Sequence, residues 1–485
     1  MAGCVAAFAV AEAAFRFWLF FPGFFQFSDW MAVTLPGSVN WQYANHGQVL
    51  FISFMLRVLY EVFGYHTWYI LLLNLVLWHA GLAAIVLAVY RTTSSRHALW
   101  LLVMTFWPGV WFYLPLYWKD FTFGLFLWLA SGMCLLATTF GPARSTRGKV
   151  RHRAFWAVVA VVLFCGLYWR HNAIVTVTPL CLYLAHKMVM AKGNRAFGTS
   201  GYLARMGLVF SALCVCLVVL VVEHPALLGK PGQQGKTRHI FLHDLVGISV
   251  ISGHDLIPDA AYRPGVTFAD VQRRYATAPN NADRFVFGPD RLLDETGPSR
   301  LTGAWVEGIR RYPMAYLRHK VRFAKSLLLT RPWLPTPRGL EADMRITWTT
   351  NTWFTALMHD VMARFPLSER KITFTPTRLT ICAWARTWTR ATNPRLIWYL
   401  GISVLGLAGG ATRLVREVKE KTCTPACDRV LLSSCLFLAA LATMAIVIVF
   451  APHTNFRYAF PAVTTSISAT IALALGLWRT RQKGA

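Results

Sequence analysis

The sequence predicts an all-α polytopic membrane protein with about ten transmembrane helices. Three observations lead there. The 485 residues are 55% hydrophobic and only 14% charged, whereas a soluble domain carries roughly 25% charged residues. Several apolar runs approach the roughly 20 residues that a spanning helix needs. The short loops between those runs are rich in Arg and Lys, as the positive-inside rule requires. The formal net charge of +28 is therefore read as loop charge plus one long polar stretch facing membrane lipids or a phosphorylated ligand, with no nucleic acid partner.

The runs read as spans are 2–21, 67–90, 98–116, 121–140, 154–169, 173–190, 206–222, 394–412, 430–450 and 461–478. The first lacks a basic leader and a small-residue cleavage site, so it reads as a retained span. Glu12 and Arg16 stand one turn apart within it and can pair. The next apolar run, VLFISFMLRVLYEVF (49–63), carries Arg57 and Glu61. It would reach only about 22 Å, short of a hydrocarbon core of about 30 Å. If it lies flat as a juxtamembrane helix, the basic loops RTTSSRH (91–97), RSTRGKVRHR (144–153), KGNR (192–195) and RLVREVKEK (413–421) all face inward. Both termini are then inside. Asp29, the turns 117–120, 170–172 and 451–460, and the long segment 223–393 face outward.

This layout divides the chain into a membrane module, 1–222, with a first outer loop at 22–66, an outer segment of mixed character, 223–393, between the seventh and eighth spans, and C-terminal membrane helices, 394–485. The ten cysteines suggest no disulfide framework, since most lie in apolar runs. Cys423 and Cys427, in CTPAC, lack the second ligand pair of a zinc site.

Four outward pieces carry suspicious polar residues. FPGFFQFSDW places Asp29 just past the first span. LYWKDF holds Lys119 and Asp120, LYWRHNAIV holds Arg170, His171 and Asn172, and APHTNFRYAFP holds His453, Arg457 and Tyr458. Any one of these alone is an ordinary turn whose charge snorkels to water. Together on one face they suggest a site, because charge near membrane depth is costly. Lys119, Arg170 and Arg457 suit the phosphate of a lipid-linked sugar and the negative charge that develops as it leaves. A carboxylate opposite would accept the proton of an attacking hydroxyl.

With these motifs the chain resembles the GT-C type integral membrane glycosyltransferases, which include protein mannosyltransferases, aminoarabinose transferases and bacterial relatives. FPGFFQFSDW is similar to that class's first outer loop, and NHGQVLFISFMLRVLYEVFG (45–64) to its juxtamembrane segment, which starts His-Pro. LYWKDF resembles a Trp-Lys-Asp turn, YWRHNAIV an Arg-x-Asn-Gly turn, NFRYAFP an Arg-Tyr-x-x-Pro motif, and AWVEGIRRYPMAYLRHK (304–320) a His-Pro-x-x-Tyr segment. The resemblance implies a glycosyltransferase in a bacterial inner (cytoplasmic) membrane, with its site facing the periplasm. It would move a sugar from a polyprenyl-phosphate donor to an acceptor hydroxyl or amine on a glycan, lipid or protein. Asp29 becomes the general base and Asp120 the second acidic residue. Lys119, Arg170 and Arg457 take the donor phosphate, with His46, His171, Asn172 and Tyr458 supporting. The resemblance allows a divalent cation, Mg or Mn, at Asp29 and Asp120 without requiring one. Asp29 sits between Ser28 and Trp30 with no Asp-x-Asp pattern, and hard cations favour several oxygen ligands. His46 is followed by Gly47 where the relatives have proline.

In the outer segment, HIFLHDLVGISVISG (239–253) reads as a mostly apolar helix, with His243 and Asp244 as a pair turned to solvent or headgroups. RRYPMAYLRHKVRFAKSLLL (310–329) reads as a helix lying on the membrane. No Walker, dinucleotide-glycine or His-Glu-x-x-His pattern occurs. Two other readings remain open. One is a polymerase or ligase of diphosphate-linked oligosaccharides, which needs no aspartate after the first span. The other is a flippase or transporter of lipid-linked sugars, which needs polar groups at mid-membrane depth.

Overall fold

The computed structural model describes residues 1–21, 50–66, 68–111, 113–115, 119–140, 145–169, 173–191, 201, 204–215, 238–281, 283–286, 291–294, 301–329, 375–392, 394–419, 425–451 and 456–481. Among these residues the chain is helical, with no strand and one isolated antiparallel bridge, Tyr262 to Leu293. The first half forms α1 (Ala2–Phe20), α2 (Leu50–Phe63), α3 (Tyr69–Thr93), α4 (Lys119–Ala137), α5 (Thr146–Trp169), α6 (Ala173–Ala191) and α7 (Ala204–Val215). The second half forms α8 (Arg238–Ser252), α9 (Phe268–Thr277), α10 (Leu301–Arg311), α11 (Pro313–Leu329), α12 (Pro376–Thr392), α13 (Leu396–Lys419), α14 (Pro425–Phe450) and α15 (Phe456–Arg481).

Eight of these, α1, α3 to α6 and α13 to α15, are long and apolar enough to cross a membrane. The protein is a multi-pass membrane protein. Two of the ten expected spans are not helices of that kind among the described residues. The run 206–222 is described only to Val215, as the short α7. The run 98–116 instead contains a 3₁₀ helix, Arg96–Phe106, and a short helical turn, Pro108–Trp111. The run 49–63 gives α2, whose exposed Arg57 and Glu61 pair at 2.8 Å.

The 3₁₀ segment has a topological role. Helices α3 and α4 run parallel: Thr122 Oγ1 donates to Asn74 Oδ1 at 2.8 Å, Trp128 stacks on Trp78 with ring centres 4.9 Å apart, and Gly132 faces the Gly81 carbonyl. The chain leaving α3 must therefore return along the bundle before α4 can begin. On the way Trp78 Nε1 donates to Thr105 Oγ1 at 3.4 Å, and Asn74 Nδ2 donates to the Leu114 carbonyl at 2.9 Å. A 3₁₀ helix rises about 2.0 Å per residue against about 1.5 Å for an α-helix, so it covers more depth per residue. Irregular backbone at membrane depth needs protein cover. Arg16 provides it by donating to the Thr105 carbonyl while paired with Glu12, which also lies 2.7 Å from His79 Nε2. The expected Glu12–Arg16 pair thus forms and holds the return segment.

One end of the bundle, the upper end, is where α1 finishes and α3, α4, α6, α13 and α15 begin. Phe17 of α1 meets Trp68 at 5.9 Å. Tyr399 of α13 meets Trp107 at 6.0 Å, and Trp107 stacks with Phe460 of α15. Helix α14 runs antiparallel to α15, with Ser433 donating to the Ala469 carbonyl at 2.9 Å. Thr176 of α6 shares a 2.6 Å hydrogen bond with Thr443 of α14.

Helices α8 to α11 form a small unit with its own core of Leu242, Leu245, Val246, Val271, Tyr275 and Phe285. A capping box of Thr267 and Asp270 starts α9. Phe323 and Leu327 of α11 join the core of the membrane bundle instead. So the helix expected to lie on the membrane is the one that docks the small unit on the bundle. Helix α12 lies at the upper end, where Arg378 donates to the Leu19 and Phe21 carbonyls at 2.9 and 2.7 Å.

Candidate functional site at the upper end

Asp120 lies in the first turn of α4, where the partial positive charge of the helix N-terminus favours a carboxylate. It is 3% exposed, and Lys119 beside it is half-buried. Glycine sets how closely the next element approaches. A Cβ on Gly124 would sit 2.5 Å from the Phe460 ring, so only glycine lets α4 and α15 meet there. The rings of Phe121 and Phe460 are 4.1 Å apart, and Thr464 Oγ1 donates to the Gly124 carbonyl at 3.1 Å.

The first turn of α15 holds Arg457 and the buried Tyr458, so the Lys119–Asp120 turn and the Arg457–Tyr458 turn begin neighbouring, parallel helices. Trp169 closes α5 against Phe126 of α4, with ring centres 5.5 Å apart, and Ala173 opens α6 fully buried. The flanks of the turn at 170–172 are therefore at the same end. Asp29, His46, Arg170, His171 and Asn172 lie outside the described residues, as does the side chain of Arg457. The pairing of Asp29 with Asp120 as metal ligands lies outside them too.

A second polar cluster stands where the small unit meets α14. His243 and Asp244 come from α8, His319 and Lys320 from α11, and Tyr275 from α9. Asp244 is 1% exposed and His319 fully buried. The expected solvent- or headgroup-facing pair is thus a buried one, because α10 and α11 close over that face of α8. Lys320 Nζ lies 2.7 Å from Asp244 Oδ1 and donates to the Val449 carbonyl at 2.7 Å. His319 Nε2 lies 3.3 Å from Asp244 Oδ1, and its Nδ1 shares a 2.9 Å hydrogen bond with Tyr275. Trp305 Nε1 donates to Asp244 Oδ2 at 3.1 Å. A Cβ on Gly247 would come within 2.3 Å of the His319 ring, so glycine makes its seat.

Charge follows from this geometry. Burial raises the Asp244 carboxyl, but the His319 hydrogen bond and the Lys320 charge outweigh it and hold the group below its ordinary range. Burial pushes His243 down to about 3, helped by neighbouring His319, so it is neutral and donates Nε2–H to the Pro279 carbonyl at 3.2 Å. One ligand atom from each of His243, Asp244 and His319 falls within 4.8 Å of the others, close enough to suggest a metal. The Lys320 ammonium already supplies the cation, however, and a second one would sit beside it in the same buried space. The cluster is a clamp between the small unit and α14, whose last carbonyls need outside donors.

The sequence reading singled out His243 and Asp244 but missed His319, Lys320 and Tyr275. RHK inside a basic amphipathic helix looks like headgroup contact, and no local signal separates a buried lysine from its exposed neighbours. Comparisons with protein-family models, with curated proteins and with solved structures find no match to this chain.

Proposed function

We propose that the protein is a GT-C-like membrane glycosyltransferase, which moves a sugar from a polyprenyl-phosphate donor to an acceptor at the periplasmic face of a bacterial inner membrane. The observation that carries the reading is the buried Asp120 beside Lys119, at the start of a helix adjoining the one that opens with Arg457 and Tyr458. A lipid donor brings its phosphate to the ends of spans, where basic side chains stabilise the leaving charge. In this reading Lys119, Arg170 and Arg457 hold that phosphate. Asp29 takes the proton of the acceptor, and Asp120 orients acceptor or donor. The ten-span topology belongs to the same proposal, with 206–222 and the 3₁₀ return segment as the two crossings beyond the eight helices.

Native mass spectrometry of the detergent-purified protein tests the donor class. A co-purifying polyprenyl monophosphate bearing one sugar is the expected result. A diphosphate-linked oligosaccharide would replace this reading with a polymerase or ligase. A transport path remains the weaker alternative. The described mid-bundle polar groups Glu12, Arg16 and His79 are committed to one another and to Thr105.

A further inference from the structure

Helix α11 has two faces, and docking uses only one of them. Ala315, His319, Phe323 and Leu327 are buried on one side, against the small unit and the bundle. Met314, Leu317 and Val321 lie on the other side and are 60%, 51% and 57% exposed. At 3.6 residues per turn, positions i, i+3 and i+7 fall within an arc of about 60°. Arg318, Arg322 and Lys325 are also exposed and occupy the next arc of about 60°. An apolar strip therefore runs beside a basic strip along the open face. That is the pattern of a helix lying in a membrane interface.

The bundle fixes the depth of this face. Lys320, in the middle of α11, donates to the Val449 carbonyl at 2.7 Å, and α14 ends one residue later at Phe450. The 26 residues of α14 make a helix about 39 Å long, against a hydrocarbon core of about 30 Å. The end of α14 thus reaches the headgroup layer, and the middle of α11 stands level with it. Trp398, in the first turn of the neighbouring α13, is 65% exposed at the same end. Tryptophan in that position marks a membrane–water interface.

Charge selects the lipid. Helix α11 contains no acidic residue, and of its lysines and arginines only Lys320 pairs with a carboxylate among the described residues. Arg322 also stands over the Tyr275 ring at 5.9 Å. We propose that the open face of α11 lies in the leaflet at the upper end of the bundle and binds anionic phospholipid there. Met314, Leu317 and Val321 enter the acyl boundary, while Arg318, Arg322 and Lys325 meet the headgroup phosphates. The uncompensated positive charge of that strip favours anionic over zwitterionic headgroups. One helix thus ties the small unit to the bundle by one face and to the bilayer by the other. This inference does not rest on the glycosyltransferase reading.

The test uses the full chain in nanodiscs of phosphatidylcholine, with or without phosphatidylglycerol. Leu317→Cys, in a cysteine-free background, carries an environment-sensitive fluorophore. The quencher is a phosphatidylcholine with a nitroxide high on its acyl chain, and quenching of about two-fold or more is expected. An unquenched label would overturn the proposal, whether its emission reports water or burial against a second copy or another protein. A second measurement keeps the native cysteines and needs no label. Phosphatidylglycerol should raise the melting temperature of the wild type by several degrees. The double variant Arg318→Gln with Lys325→Gln should lose at least half of that rise. Both side chains are exposed, so the variant should melt like the wild type in phosphatidylcholine alone. An equal rise in both proteins would overturn the proposal by placing the anionic lipid elsewhere, and so would a wild type that gains nothing from phosphatidylglycerol.

Discussion

Asp244 and Lys320 show what a single charge does when it is buried. Removing Lys320 as Lys320→Met strands a carboxylate that is 1% exposed, and breaking such a pair from one side costs about 3–5 kcal/mol. The double variant Asp244→Asn with Lys320→Met removes both charges and should recover much of that loss. Thermal unfolding in detergent reads both, and equal losses in single and double variants would contradict the ion pair. His243 gives the pH dependence. Its folded value is about 3 against an ordinary 6.5, so below about 6.5 the unfolded chain binds a proton that the folded chain refuses. Stability should therefore fall as pH drops from 6.5 towards 3, and His243→Gln should flatten part of that slope. His239, which burial alone pushes down to about 4, acts in the same direction and leaves a residual slope in that variant. At this scale the sequence was partly legible. His243 and Asp244 stood out because they interrupt an apolar run. Lys320 did not, since its burial depends on a contact with Val449 that lies far along the chain.

Among elements, long apolar helices were legible because length and composition alone define them. The segment 98–116 was not. Its composition is that of a span, but it forms a 3₁₀ segment whose Thr105 carbonyl accepts from Arg16 of another helix. Close helix contact likewise depends on glycines whose role appears only in three dimensions. A Cβ on Gly132 would meet the Gly81 carbonyl at 2.8 Å, and backbone cannot swing aside as a side chain can. Gly132→Val is predicted to push α3 and α4 apart and cost about 1–3 kcal/mol, measured as a lower melting temperature. Gly409 has open space around its Cβ position, so Gly409→Ala should melt close to wild type.

For the whole molecule, the positive-inside reading places the 91–97 loop and the small unit on opposite sides of the membrane. In a cysteine-free background, Ala269→Cys should react with an impermeant maleimide added outside spheroplasts, and Arg96→Cys only after lysis. The reverse pattern would invert the topology. The sequence groups the polar turns at 117–120, 170–172 and 451–460 because charge is rare between apolar runs. The helix starts at Lys119 and Phe456 lie at one end of the bundle, in keeping with that grouping. Which helices stand side by side at that end was not legible, because helix pairing depends on contacts across the whole chain. The central claim is that a carboxylate beyond the first span activates an acceptor for attack on a lipid-phosphate sugar. Its most direct test is the release of polyprenyl monophosphate in membranes of cells producing the wild type or Asp29→Asn, since those membranes contain both donor and acceptor. The account predicts a loss of about 10²–10⁴-fold in Asp29→Asn, the size of a general-base contribution. Release at near wild-type rate would contradict it.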